Sequence, residues 1–331
     1  MARSLAGAGA AGELAGAGAA APGTRARLRP GAPAQAWPSA STRLVAVIGD
    51  PVRHSLSPAV HNAALAALGL DWVYVCLPVP AGEAGAAIAA FRVLRMEGLN
   101  VTMPHKEAVV PHLDGVSPTA ARLGAVNTVL RRGTEVVGES TDGAGFLDAL
   151  RLDEGFDPAG RRCLVVGAGG AGRAVALALG QAGAREVVVA NRTRSRAEAA
   201  AALAGPAGRA GAPDDAGESD LVVNATPMGM AGSGLAELLA VPPERLGPGQ
   251  LVVDLVYHPL LTPLLAEARA RGARTADGLG MLVHQAARSL RLWTGAEPPL
   301  GVMREAARAA GGAPAPAQGA GPPGVGTEGR R

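Results

Sequence analysis

One residue type is almost missing from this chain, and its single survivor is the first candidate for chemistry. Of 31 Lys and Arg residues only Lys106 is a lysine. Arginine carries the positive charge everywhere else, amid abundant Ala and Gly, as in a GC-rich coding sequence. Arg replaces Lys wherever a surface charge suffices. A guanidinium keeps its proton, however, so it cannot stand in where the group must release one. Lys106 is therefore a candidate proton-transfer residue, against the plainer reading of a surface lysine at a helix start.

A glycine pattern is the second candidate. Gly167 to Gly172 read G-A-G-G-A-G, with Gly167, Gly169 and Gly172 matching G-x-G-x-x-G. The apolar run Cys163–Val166 precedes it and a helical pattern follows to about Gly180. In that setting the glycines permit a tight turn and let the backbone approach a pyrophosphate at the helix N-terminus. The alternative is a glycine-rich turn with no ligand. A dinucleotide fold for NAD usually ends its next strand on Asp or Glu, which binds the ribose hydroxyls. Here the strand Glu186–Ala190 runs into Asn191, Arg192, Thr193 and Arg196. No carboxylate opposes a phosphate, and both arginines can hold a 2′-phosphate by charge-assisted hydrogen bonds. NADP is favoured, although Arg196 also reads as part of a solvated basic turn.

These residues need elements to position them. Candidate strands are Leu44–Ile48, Trp72–Val79, Gly98–Thr102 and Ala125–Leu130, with Thr134–Gly138 following as an antiparallel edge strand. Helices are expected from near Pro58, Ala81 and Pro118. Pro58 and Pro118 each follow a serine, the N-cap-then-Pro start signal. The pattern predicts an α/β domain with a mostly parallel sheet. A second unit begins near Arg161, and strands at Leu221–Asn224 and Leu251–Leu255 extend its doubly wound sheet. The stretch Leu279–Trp293 reads as an amphipathic helix whose packing partner its pattern does not reveal.

Composition bounds the rest. With 331 residues and 48% hydrophobic content the chain can fill two domains. Net charge is +3, with acids and bases interspersed, which does not suggest nucleic-acid binding. Cys76 and Cys163 lie in apolar runs, read as buried thiols of a reducing cytoplasm, and no histidine or cysteine spacing suggests a metal. No stretch is apolar enough to span a membrane. Residues 1–41 and 310–331 are Ala, Gly and Pro-rich and are expected to be disordered. Arg25, Arg27 and Arg29 give the first of these some likeness to a transit peptide.

Further motifs follow in order. They are S-L-S-P at Ser55–Pro58, N-V-T-M-P-H-K at Asn100–Lys106, G-A-V-N-T at Gly124–Thr128 and S-T-D-G at Ser140–Gly143. N-A-T-P-M-G at Asn224–Gly229, Tyr257 with Thr262-Pro263-Leu264, and D-G-L-G-M-L-V-H-Q-A at Asp277–Ala286 complete the set. Together, over about Leu44 to Gly295, they resemble the shikimate dehydrogenase family. The resemblance implies an α/β fold of two domains: a substrate domain and a Rossmann-like NADP domain. The substrate domain would span 42–148, completed by the C-terminal helix at about 279–309; the NADP domain would span 149–278.

The resemblance also implies roles. Ser55, Ser57 and Tyr257 would hold the shikimate carboxylate. Thr102, Asn127, Asp142 and Gln285 would hold the ring hydroxyls, since amides both donate and accept. Lys106 would transfer the proton at the reacting oxygen, with Asp142 beside it. Gly167, Ala168, Gly169, Gly170 and Ala171 would meet the pyrophosphate. Asn191, Arg192, Thr193 and Arg196 would meet the ribose phosphate. Leu255 and Gly278 would approach the nicotinamide, with Asn224, Ala225 and Thr226 lining the same cleft. Each residue alone also has a plain reading. Ser57 and Asp142 could cap helices, Thr102 could end a strand, Asn127 could sit in a turn, Gln285 could face solvent, and Leu255 could be core. Ser140 stands where the family commonly has Asn, which bears on the placement of Asp142.

The resemblance implies reduction of 3-dehydroshikimate to shikimate. Quinate or aminoshikimate dehydrogenases of the same family, a non-catalytic shikimate or NADP sensor, and folate-type methylene dehydrogenases are the competing readings. Loss of Lys106 and Asp142 would have marked a sensor. Small molecules are the expected partners, with no nucleic acid or membrane, in a monomer or homodimer.

Overall fold

The run Val45–Gly49 is buried at every position, so neither face of that strand can meet water and it must lie inside a sheet. The computed structural model, which describes residues 38–311, places it there. β1 (Arg43–Gly49) pairs in parallel with β2 (Trp72–Pro78) on one side and β3 (Gly98–Val101) on the other. Helices α1 (Ser57–Ala67) and α2 (Ala84–Val93) make the connections. β4 (Gly115–Val116), α3 (Pro118–Leu123), β5 (Thr128–Arg132) and β6 (Glu135–Glu139) complete a six-stranded sheet in the order β2-β1-β3-β5-β6-β4.

Three expectations need correction here. The strand that runs against its neighbours on both sides is β5, antiparallel to β3 and to β6. The strand expected at the edge, β6, is instead covered by β4, which pairs with it in parallel. A two-residue strand such as β4 is too short to leave a period-2 signature. Helix α2 begins at Ala84 rather than near Ala81 because the chain first turns through Gly82 at φ 94°.

Helix α4 (Asp142–Asp148) leads out of this sheet and widens into a π-helical turn over Ala149–Asp153. The second sheet follows: β7 (Arg162–Val166), α5 (Gly170–Gln181), β8 (Glu186–Ala190), α6 (Arg194–Ala202), β9 (Gly208–Gly211), β10 (Leu221–Asn224), β11 (Leu251–Asp254), α7 (Pro263–Ala270) and β12 (Arg274–Ala276). Its six strands are all parallel, ordered β12-β11-β10-β7-β8-β9. This is the doubly wound Rossmann order, and it reverses between β7 and β10. That switch point is where such sheets open a crevice at their C-terminal edge.

The helical stretch after Asp277 is two helices, α8 (Leu279–Thr294) and α9 (Leu300–Gly311), broken where Gly295 turns left-handed at φ 67°. Both return to the first sheet. Val283, Ala286, Leu290, Met303 and Ala307 share one buried cluster with Val45, Val47, Val60 and Leu65. Each of the buried Val, Leu and Met side chains among them contributes about 1.5–3 kcal/mol. The close fit depends on Gly98, where any Cβ would run into the Trp293 indole. Trp293 in turn donates its Nε1–H to the Val129 carbonyl at 3.1 Å.

Residues 1–37 and 312–331, most of the two stretches expected to be disordered, lie outside the described residues. The short remainder at the N-terminal side is tied down: the hydroxyls of Ser41 and Thr42 donate to Asp71 at 3.0 and 2.7 Å. Among the described residues no helix is long and apolar enough to cross a membrane.

Candidate active site

Lys106 lies beyond the end of β3, in a loop rather than at a helix start. Its Nζ donates to Asp142 Oδ2 at 2.5 Å, with side-chain exposures of 21% and 11%. Asp142 is the first residue of α4 but caps nothing. The N-cap position is Thr141, which makes no side-chain cap bond either. The carboxylate instead faces Lys106 through one oxygen and accepts from Asn127 Nδ2 at 2.7 Å through the other. A carboxylate at a helix N-terminus is also favoured by the dipole.

Asn127 is buried just before β5, and all its hydrogen-bonding capacity is engaged. Its Oδ1 accepts from the Thr141 backbone N–H at 2.8 Å and from Thr128 Oγ1 at 3.0 Å. Its Nδ2 donates to Thr141 Oγ1 at 2.9 Å as well as to Asp142. Gln285, on α8, places its Oε1 3.5 Å from the same nitrogen. It reaches this spot because α4 offers no side chain in the way. A Cβ on Gly145 would lie 2.5 Å from the Gln285 backbone nitrogen. On the other face of α4, a Cβ on Gly143 would meet the Ala174 carbonyl oxygen of α5 at 2.6 Å.

Ser55 and Ser57 point toward one another, Oγ to Oγ 3.1 Å, and the Ser57 N–H donates to Ser55 Oγ at 3.2 Å. The capping explanation for Ser57 does not hold. It is inside α1, whose N-cap is Leu56 with no side-chain bond. Ser117, by contrast, does cap α3, accepting from the Ala120 N–H at 3.1 Å. Tyr257 packs on the Val45–Val60 cluster, and burial raises its phenol pKa, so it is a neutral donor. Thr102 follows β3 directly, with its methyl against Gly49.

The glycine loop meets this group from the second domain. Gly170 faces Lys106, whose Cδ would lie 3.6 Å from a Cβ placed there. Gly167 has φ 110° and backs onto Ala225, and a Cβ at Gly172 would run into the Gly167 carbonyl. Packing explains both glycines. Gly169 is different: a Cβ there would meet nothing within 4 Å. The loop thus leaves open space at the N-cap of α5, which has no side-chain cap. That fits an anion received by backbone N–H groups. Asn191 Oδ1 accepts from the Ala168 N–H at 3.3 Å and shapes the loop. Arg192, Thr193 and Arg196 are exposed beyond β8. Leu255 and Gly278 are neighbours, since a Cβ on Gly278 would collide with the Leu255 carbonyl. Thr226 donates to Asn224 Oδ1 at 2.6 Å, and Asn224 Nδ2 donates to buried Asp254 at 2.9 Å. Burial raises the Asp254 pKa, and Thr262 Oγ1 steadies it at 2.6 Å.

Sequence reasoning passed over the layer beneath the substrate-side group. Asn100, Thr128, Thr141 and Ser289 are all buried and mutually hydrogen-bonded, and Tyr74 OH donates to Asn100 Oδ1 at 2.7 Å. His61 stacks on Tyr74 with ring centroids 4.3 Å apart. Full burial lowers its pKa to about 3, so it is neutral and takes no part in proton transfer near pH 7. The signal for this layer was polar residues interrupting apolar strand runs, as at Asn100 and Thr128.

A Rossmann sheet whose glycine loop closes over a lysine–carboxylate pair defines a two-domain, dinucleotide-dependent oxidoreductase. The chain matches the shikimate dehydrogenase substrate binding domain over residues 47–129 and the shikimate 5'-dehydrogenase C-terminal domain over 278–308. Between them, residues 162–258 match the NADP oxidoreductase coenzyme F420-dependent family. It is 50% identical over 290 residues to the shikimate dehydrogenase (NADP(+)) of Moorella thermoacetica, covering 83% of this chain and 97% of that protein. With the corresponding protein of Thermococcus kodakarensis it is 47% identical over 272 residues, 81% and 97% of the two chains. A shikimate 5-dehydrogenase of Thermus thermophilus, solved with NADP(H) and shikimate, superposes with a TM-score of 0.75 at 45% identity, over 81% of this chain and all of that one. A quinate dehydrogenase of Corynebacterium glutamicum, solved with NAD, gives 0.74 at 37%, over 81% and 99%. The chain belongs to the shikimate dehydrogenase family.

Proposed function

We propose that the protein interconverts 3-dehydroshikimate and shikimate as an NADP-dependent dehydrogenase of aromatic biosynthesis. The observation that carries this reading is the Lys106–Asp142 pair at 2.5 Å, set against Gly170 of the glycine loop. A proton-transfer group thereby stands at the wall of the dinucleotide crevice.

The chemistry that NADP supplies when bound is hydride exchange with the carbon bearing the reacting oxygen. In the reducing direction Lys106 Nζ hands a proton to that oxygen; in the oxidising direction its neutral amine takes one away. Asp142 orients the lysine through their 2.5 Å contact. Ser55, Ser57 and Tyr257 donate hydroxyl hydrogens to the substrate carboxylate. Thr102, Asn127, Asp142 and Gln285 hold the ring hydroxyls. Gly167 to Ala171 supply backbone donors for the pyrophosphate. Asn191, Arg192, Thr193 and Arg196 receive the ribose phosphate, and Leu255 and Gly278 flank the nicotinamide. We place the reaction in the cytoplasm, a reading supported by the free thiols of Cys76 and Cys163. All the residues assigned come from one chain, so a monomer or a homodimer would carry a complete site.

The test is the absorbance of NADPH on mixing purified protein with NADP and shikimate, repeated with quinate and with NAD. Rapid reduction of NADP by shikimate is the expected result. Faster turnover of quinate with NAD would move the chain toward its quinate-specific relatives, and no turnover with any pair would leave a binding protein.

A further inference from the structure

Ser289 is fully buried on α8, one helical turn beyond Gln285, and its hydroxyl touches four elements at once. It lies 2.8 Å from Thr128 Oγ1, 3.1 Å from Asn100 Nδ2, 3.4 Å from Thr141 Oγ1 and 3.1 Å from the Gln285 carbonyl. The directions of these bonds can be worked out from groups that have no choice. The Thr141 backbone N–H can only donate, so the atom of Asn127 that faces it is Oδ1. Thr128 Oγ1, 3.0 Å from that oxygen, must then spend its hydrogen there, or two sets of lone pairs would face each other. With the Thr128 hydrogen spent, its 2.8 Å contact draws the single Ser289 hydrogen, which the Gln285 carbonyl, able only to accept, shares over the longer contact of 3.1 Å. Asn100 presents its nitrogen to this group because that nitrogen also faces the Asn127 carbonyl, which can only accept.

One directed chain results. Ser289 donates to Thr128, Thr128 donates to Asn127 Oδ1, and Asn127 Nδ2 donates to Asp142 Oδ1. Asp142 Oδ2 then takes Lys106. Each hydrogen bond in such a chain polarises the next, and the low dielectric of the interior strengthens them all. Resting on the function proposed above, we propose that Ser289 is a positioning residue. It locks the Asn127 amide against Asp142, so that the carboxylate and Lys106 meet the substrate in one geometry. It touches neither substrate nor cofactor itself.

The experiment uses the full chain with Ser289→Ala, Thr128→Val and the double variant. It reads kcat/KM for shikimate at saturating NADP, KM for NADP, and the thermal midpoint. Ser289→Ala is expected to lower kcat/KM for shikimate about tenfold, with KM for NADP within about twofold of wild type, the scale of one buried hydrogen bond. The double variant should be no worse than Thr128→Val alone, because both changes interrupt one chain. Ser289→Cys keeps the volume with a weaker donor and should lower kcat/KM for shikimate about three- to tenfold, which also covers the case of an alanine variant that fails to fold. Shikimate kinetics within twofold of wild type in the alanine or cysteine variant would overturn the assignment. So would a parallel rise in KM for NADP, or effects that multiply in the double variant. Wild-type protein that fails to oxidise shikimate would sink the underlying function instead, which keeps the two failures apart.

Discussion

The two walls of the cleft are built on opposite plans. On the substrate side nearly every polar group already has a protein partner: Lys106 has Asp142, Asp142 has Asn127, and Asn127 has Thr128 and Thr141. On the cofactor side the groups are backbone around the open space at Gly169 and two arginines exposed to solvent. The first wall is organised before any ligand arrives, as proton transfer demands, because misplacing the donor costs rate directly. On the function proposed above, the second would be completed by its ligand, whose phosphates would supply the anionic partner that the exposed arginines lack. Chemistry is prepaid in the fold, whereas cofactor recognition is left to the bound state.

The sharpest way to break this contrast is at Lys106. Lys106→Ala should lower kcat about a thousandfold, within the range for losing a positioned acid or base. Shikimate affinity, measured by calorimetry, should change only a few-fold; near-normal turnover would mean that the organised wall is not the catalytic one. The cofactor wall is tested by Arg192→Ala combined with Arg196→Ala. Its kcat/KM should fall about a hundredfold with NADP and hardly at all with NAD, since each charge-assisted contact contributes about 1.5–3 kcal/mol. Equal losses with both cofactors would argue against a 2′-phosphate site.

Stability separates the walls as well. His61 beneath the substrate side stays neutral down to about pH 3, whereas an unfolded histidine protonates near its ordinary pKa of 6.5. Below that value the unfolded state binds the extra proton, so stability falls as pH drops from 6.5 toward 3, by about 2 kcal/mol at pH 5. Denaturant titrations of wild type and His61→Asn should show a shallower acid slope in the variant; equal slopes would place the acid sensitivity elsewhere. The smallest effect concerns the glycines. Gly169→Ala should raise KM for NADP about tenfold without moving the thermal midpoint, since its new methyl meets only the ligand's space. Gly172→Ala should lower the midpoint, because its methyl meets the Gly167 carbonyl.

The cofactor wall was the more legible of the two in the sequence. Its glycines, the strand Glu186–Ala190 and the arginines beyond it are consecutive, so local pattern alone assembles them. The short strands β9 and β12 escaped because Gly-Arg-Ala-Gly and Arg-Thr-Ala form no apolar run, unlike the equally short β10 and β11. The substrate wall draws on residues from Ser55 to Gln285, and only the family resemblance gathered them. Residue type could not tell a capping serine from an uncommitted one. Ser117 and Ser57 both precede proline, yet only Ser117 caps its helix. Nor could it foresee Ser289, whose importance lies in how four elements converge on one hydroxyl.

Helix α4 carries one last consequence. It is gripped between α5 and α8 through Gly143 and Gly145, and the carboxylate that faces Lys106 is its first residue. The spacing between the two walls is therefore gauged by a pair of hydrogen atoms. A single methyl on either glycine would act as a shim, driving α4 away from α5 or from α8 and re-aiming Asp142, and at Gly145 it would press on the Gln285 backbone as well.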